Sequence, residues 1–382
     1  MKVGFAARLS PLDKRTWSGT SYYTYQEIKK YNEVEIFQFK WPWYLREWLT
    51  AQKSWNRKLY KKSTSVEFLR AYAKYFSKQL EKELRKRPVD ILFVSASSQL
   101  IAYLKTDIPI IYMTDATFQQ LQGYYSSFSN LAAYNVKQGI ELDRLAFGNA
   151  THCMLASTWN KHSAMNDYKI AAEKISVVNL GANLDSIPAA NDLWLTSTGE
   201  LRLLFLGVEW ERKGGDIVLE SFRILKSRGV KVHLDIIGCV PPHDLSKETG
   251  ITIIPFLDKN EAEDFQQLHS IFLSTDILFL PTRAECAGVV FSEAAAYGIP
   301  SLATDTGGVS DYVKEGVNGF LLTKEAAAPE YTDLLQRLSS HPEQLQELKQ
   351  SSRRHYEQQL NWQLWGEQFQ ALVKRLLNRR EP

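Results

Sequence analysis

Two glutamates, two adjacent cations and a set of glycines are the residues best equipped for chemistry in this chain. The stretch Leu278-Phe279-Leu280-Pro281-Thr282-Arg283-Ala284-Glu285-Cys286-Ala287-Gly288-Val289-Val290-Phe291-Ser292-Glu293 reads as an apolar strand ending at Pro281, a polar loop, and a helix opening near Gly288. The free N–H groups and positive dipole end of such a helix start suit a diphosphate. Gly288 has no side chain to hold a ligand away from the backbone. Glu285 falls in the loop and Glu293 on the second turn, so both carboxylates can reach one ligand. A carboxylate accepts two hydrogen bonds at once, which fits the vicinal hydroxyls of a ribose or a hexose.

A second polar element is Gly207-Val208-Glu209-Trp210-Glu211-Arg212-Lys213-Gly214-Gly215, between a strand and a helix. Arg212 and Lys213 could neutralise a diphosphate as its bond to a sugar breaks, a form of charge stabilisation that is often the largest catalytic contribution. The plainer reading is a turn with two solvated cations. Asp115 follows the apolar run Ile108–Met113. At a strand's carboxyl end it could orient an acceptor hydroxyl or take its proton, or it could simply cap a turn. Trp17-Ser18-Gly19-Thr20 precedes a helix, and there Gly19 could approach a phosphate or an acceptor while Ser18 or Thr20 serves as N-cap.

The elements that must position these residues alternate. Strands are expected at Val3–Ala7, Val34–Phe39, Val89–Ser95, Ile108–Met113, His152–Ala156 and Ile175–Val178, with helices at Thr20–Tyr31, Ser65–Arg87 and Val136–Gly148. After a Pro-, Asn-, Ser- and Gly-bearing linker at Ser186–Glu200, a second set follows. Its strands are Leu201–Gly207, Val232–Gly238, Ile251–Ile254, Ile277–Pro281, Ser301–Thr304 and Gly319–Leu322. Its helices are Gly215–Arg228, Glu261–Ser270 and Val289–Tyr297. Such alternation predicts α/β architecture with parallel sheets. We expect two Rossmann-like domains, residues 1–185 and 186–354, facing each other across a cleft that binds substrate. A final helix, 355–382, is expected to pack back on the first domain.

The 382 residues suit two domains, and 44% apolar with 23% charged residues is the balance of a globular protein. No apolar run approaches the length of a membrane span and the N-terminus does not read as a signal peptide, so a cytoplasmic location is expected. Cys153, Cys239 and Cys286 show no metal or disulfide spacing, and neither His-Glu-x-x-His nor Asp-x-Asp occurs. A metal-independent site without a cofactor is therefore expected.

With the Glu-x7-Glu pair, Ala296-Tyr297-Gly298-Ile299-Pro300, Asp305-Thr306-Gly307-Gly308-Val309 and Asn179-Leu180-Gly181-Ala182-Asn183 in view, the chain resembles the retaining glycosyltransferases of the GT-B fold, family 4 (group 1) type. The likeness is strongest over residues 201–322. It implies transfer of a hexose-type sugar from a nucleoside diphosphate, UDP first, to a hydroxyl on a glycan or lipid-linked saccharide, with retention of configuration. It implies that Glu293 binds the ribose, that Glu285 holds the donor sugar, and that the amides of Ala287, Gly288 and Val289 lie at the sugar and phosphates. The family places an arginine directly after its first glycine, where this chain has Val208, and we expect Arg212 to take that duty. Only Gly19 remains of the family's N-terminal glycine pair. The rival readings are a same-fold epimerase or phosphorylase, a non-catalytic binding protein, and a nicotinamide oxidoreductase. The last lacks its Gly-x-Gly-x-x-Gly after the first strand.

Charge is segregated. Between Lys40 and Pro88 stand 14 Lys/Arg against 4 Asp/Glu, in a chain of net charge +3. Residues 41–62 set Trp41, Trp43, Tyr44, Trp48, Trp55 and Tyr60 among Arg46, Lys53, Arg57, Lys58, Lys61 and Lys62. The mixture reads as a peripheral contact at the inner face of a membrane or as a lid over an acceptor, ahead of nucleic-acid stacking, which we do not adopt.

Overall fold

The computed structural model describes residues 1–193 and 199–378, apart from the side chains at 45, 52, 56 and 60. The expected linker therefore falls partly outside the described residues, as do the last four residues of the helix expected over 355–382. By its own contacts the chain divides into two compact units. Unit 1 comprises Met1–Thr16, Ser21–Val178 and Gly366–Pro382, and unit 2 comprises Trp17–Thr20 and Asn179–Trp365.

Unit 1 is built from β1 (Lys2–Ala7), α1 (Thr20–Lys29), β2 (Glu33–Phe37), α2 (Trp43–Tyr60), α3 (Arg70–Lys86), β3 (Ile91–Ser95) and the short α4 (Ser98–Ile101). It continues with β4 (Ile110–Thr114), short α5 (Phe118–Leu121), α6 (Ala133–Asn149), β5 (His152–Leu155), α7 (Thr158–Asn166) and β6 (Ile175–Val177). The six strands form one sheet in the order β2-β1-β3-β4-β5-β6, and each pairing is parallel. Ile91, Leu92, Phe93 and Val94 are all fully buried, because a sheet with helices on both faces leaves neither side of a central strand wet.

Unit 2 repeats the plan with β7 (Leu201–Leu206), one turn of helix α8 (Trp210–Lys213), α9 (Gly215–Ser227), β8 (Val232–Ile237), β9 (Ile251–Ile254), α10 (Ala262–Ser274) and β10 (Ile277–Leu280). Then come α11 (Val289–Ala296), β11 (Ser301–Thr304), short α12 (Val309–Tyr312), β12 (Gly319–Leu322), α13 (Ala328–Ser340) and α14 (Pro342–Gln359). A last helix, α15 (Trp362–Asn378), starts in this unit and passes into unit 1 at Gly366. The sheet order is β12-β11-β10-β7-β8-β9, again parallel. The chain runs outward from β7 to β9, then restarts at β10 on the other side. The loops after β7 and β10 thus flank the point where winding direction reverses, the place where doubly wound sheets bind ligands.

Three expectations need correcting. The helix expected over Ser65–Arg87 breaks at Leu69, whose φ of −90° and ψ of 136° are extended, and true helix begins at Arg70. The Asn135 side chain causes the break by bonding both the Ser65 N–H (2.7 Å) and the Ser65 carbonyl (3.1 Å). The tail holds two helices, because α14 ends at Gln359 and α15 begins at Trp362. Finally, Trp41 is not part of an exposed aromatic patch. Its ring lies 4.8 Å from Tyr72 and 6.3 Å from Phe76, against the core.

Candidate active site

The loops after β7 and β10 bring the two cations to the first glutamate. One helical turn lifts Arg212 and Lys213 off the end of β7, and Gly214 reverses the chain with φ 79°. That turn presses on the β10 loop so closely that a Cβ on Gly214 would sit 2.1 Å from the Pro281 carbonyl oxygen, so only glycine fits. The Lys213 ammonium donates to Glu285, and both side chains are nearly buried. Arg212 donates to the Ala284 carbonyl at 2.8 Å and to Glu209 at 2.9 Å, and lies 3.5 Å from Glu285. Arg212 therefore divides its donors among three acceptors and braces the β10 loop, whereas Lys213 places its ammonium on Glu285. Val208, where the family carries arginine, is exposed and offers no charge.

Gly288 is the N-cap of α11 with φ 80°, a conformation that a side chain disfavours. Ala287 is buried and Val289 half-buried beside it. The first N–H groups of a helix have no partner within it, so the amides at this start are donors available to an anion. The Gly308 amide donates to the Glu285 carbonyl at 3.2 Å, which ties the Asp305–Val309 loop to the same place.

Glu293 lies one turn further into α11 and is 3% exposed. Burial pushes its carboxyl above the usual range, while the nearby ammonium groups of Lys259 and Lys213 pull it down. Lys259 donates to Glu293 at 2.5 Å and reaches the Asn183 carbonyl at 3.4 Å. Sequence reasoning missed Lys259. It stands in a loop after β9 with no motif around it, and only the fold brings it to Glu293.

Asn183 is the second residue whose role sequence reasoning missed. Fully buried, it donates through Nδ2 to the Ser18 carbonyl (2.8 Å) and the Thr20 hydroxyl (3.1 Å). Its Oδ1 accepts from the Trp362 indole N–H at 3.1 Å. The clamp holds Trp17, Ser18 and Gly19 at φ 49°, 53° and 90° in succession. Two non-glycine residues in that region cost about 1–3 kcal/mol each, strain that concentrates at working sites. The signal was present in the Trp17-Ser18-Gly19-Thr20 motif, but its geometry was not.

The structure thus gathers Arg212, Lys213, Glu285, Ala287, Gly288, Val289 and Glu293 in unit 2, with Gly19 linked to them through Asn183. Asp115 belongs to unit 1. It is half-buried just past the end of β4, and Thr117, not Asp115, caps the following helix through a capping box with Gln120. Among the described residues, no group of three or more His, Cys, Asp or Glu side chains is placed to hold a metal ion.

Two Rossmann-like units, each a parallel six-stranded sheet with helices, give the chain the GT-B fold. Residues 194–355 match the family model described as glycosyl transferases group 1. It is 28% identical over 222 residues to the D-inositol 3-phosphate glycosyltransferase of Gordonia bronchialis, covering 54% of this chain and 48% of that one. The chain spans about half the length of the curated relatives it matches. Among solved structures it resembles a sucrose-phosphate synthase from Thermosynechococcus elongatus at TM-score 0.72 and 15% identity, covering 98% of this chain and 99% of that one. The Anabaena protein HepE, solved with UDP and glucose, superposes at TM-score 0.65 and 15% identity with the same coverage. At such identities the two structures speak to the fold.

Proposed function

We propose that this chain is a metal-independent, retaining glycosyltransferase that moves a hexose-type sugar from a nucleoside diphosphate to a hydroxyl acceptor. The single observation that carries the reading is the Lys213–Glu285 couple at the switch point of unit 2, beside the start of α11 and within electrostatic reach of buried Glu293. A departing diphosphate gains negative charge as the glycosidic bond lengthens. Lys213, Arg212 and the α11 amides supply positive potential there without reorganising. Glu285 then holds sugar hydroxyls, and Glu293 holds the ribose with Lys259 as its counter-ion. Unit 2 is thus the donor domain and unit 1 the acceptor domain, where Asp115 orients the attacking hydroxyl.

UDP is the first donor to try, supported by the ligands named for HepE, and the Gordonia relative's name, which gives inositol 3-phosphate, supports a polyol hydroxyl as acceptor. The test is a panel of UDP-, GDP- and ADP-sugars scored by thermal stabilisation and nucleotide release, with and without chelator. Stabilisation by one nucleotide-sugar class, unaffected by chelator, is expected. A panel without any stabilising member contradicts the reading.

A further inference from the structure

The segment that sequence reasoning left without secondary structure is an 18-residue helix, α2. Leu49 is fully buried, while almost every other described side chain on the helix is exposed. Tyr44, Trp48, Ala51, Trp55 and Leu59 recur at intervals of four, three, four and four, which aligns them on one face. Tyr44, Trp48, Trp55 and Leu59 are 54% to 67% exposed, and Trp43 at the helix start is 77% exposed. Solitary surface aromatics are common, but a continuous stripe of them along one helix marks a contact surface.

Charge identifies what covers it. Helix α3 is also basic, yet three of its six cations are paired with acids within the unit, Arg70 with Glu141, Arg85 with Glu81 and Lys86 with Glu83. On α2, among the described residues, no ion pair links Arg46, Lys53, Arg57 or Lys58 to an acid, and Lys61 and Lys62 extend the positive run past its end. Exposed indoles interleaved with unneutralised cations complement one surface chemistry, an apolar interior beneath a layer of anionic head groups. Among the described residues, no helix is long and apolar enough to cross a membrane, so the contact lies along the surface.

We propose that α2 is a peripheral docking element for an anionic bilayer, its Tyr44–Trp48–Trp55–Leu59 stripe seated among the head groups and its lysines and arginines on their phosphates. The inference does not rest on the donor site, because docking needs no turnover. Anchoring of this kind would bring unit 1 to an acceptor carried on lipid.

The test uses the full chain and sedimentation with vesicles of phosphatidylcholine alone or mixed with phosphatidylglycerol. Binding to the mixed vesicles only, falling as salt rises, is expected. Trp48→Ser with Trp55→Ser removes the apolar part, and Lys58→Glu with Lys61→Glu keeps the indoles while reversing charge. Each pair should weaken binding by about tenfold or more, given the contribution of each cation near an anionic surface. Both variants should keep the wild-type melting temperature and nucleotide-sugar affinity, which separates failure here from failure of the donor site. Equal binding to both vesicle types, no binding to either, tighter retention on single-stranded nucleic acid than on vesicles, or variants that bind like wild type would overturn the proposal.

Discussion

The ammonium of Lys259 lies 2.5 Å from the carboxylate of Glu293, and Glu293 is 3% exposed. Removing one partner of such a pair strands the other charge in a medium that solvates it poorly, at a cost of about 3–5 kcal/mol. Burial already raises the folded pKa of Glu293 above its unfolded value of 4.5. The group's contribution to stability is therefore complete below that value and is lost as pH rises through the folded pKa. Without Lys259 the folded pKa moves higher still. Lys259→Met should melt close to wild type at about pH 4 and well below it at about pH 8. Melting curves at the two pH values check this, and an equal deficit at both would show that Lys259 does not face an ionised Glu293.

Lys213 carries the central charge of the proposed chemistry. Lys213→Ala should lower kcat by about 10²–10³-fold, as loss of one preorganised donor to a developing anion does, with a smaller change in KM. Arg212→Ala should act differently. Its bonds to Glu209 and Ala284 brace the β10 loop, so instability should accompany any loss of rate. Steady-state kinetics and melting temperatures on both variants separate the two roles.

Gly288 tests the helix start without touching a charge. An alanine there must adopt φ 80°, costing roughly 1–2 kcal/mol, and its Cβ would lie 2.6 Å from the Phe291 ring. Gly288→Ala should lower the melting temperature and weaken nucleotide-sugar affinity together. Calorimetry showing wild-type affinity would remove the α11 amides from the site.

Asn183 should matter beyond its own position. Asn183→Ala deletes three hydrogen bonds in a buried setting, each contributing about 0.5–1.5 kcal/mol. The strained Trp17–Gly19 turn loses its clamp and should become a new site of proteolytic cleavage. Limited proteolysis with mapping of the first cut reads this directly.

Sequence legibility followed burial. Strands such as Ile91–Ser95 and Ile277–Leu280 showed as continuous apolar runs because both faces of these sheets are covered. The Glu285–Glu293 segment was legible because its strand, loop and helix are contiguous. Lys259 was not, because its partner stands 34 residues away and only the sheet order joins them. Helix α2 lacked the usual signals, since an exposed face of Trp and Tyr resembles neither a core stripe nor a polar surface. Leu69 broke an otherwise regular helical pattern because Asn135, distant in sequence, captures the Ser65 backbone.

The most direct test is isothermal titration of the stabilising nucleotide sugar into wild-type protein and Glu293→Gln, with folding verified by circular dichroism. Exchanging the charged acceptor for a neutral one should weaken binding by about 1.5–3 kcal/mol, roughly ten- to a hundredfold. Equal affinity in a folded Glu293→Gln would place the donor elsewhere and contradict the site described for α11.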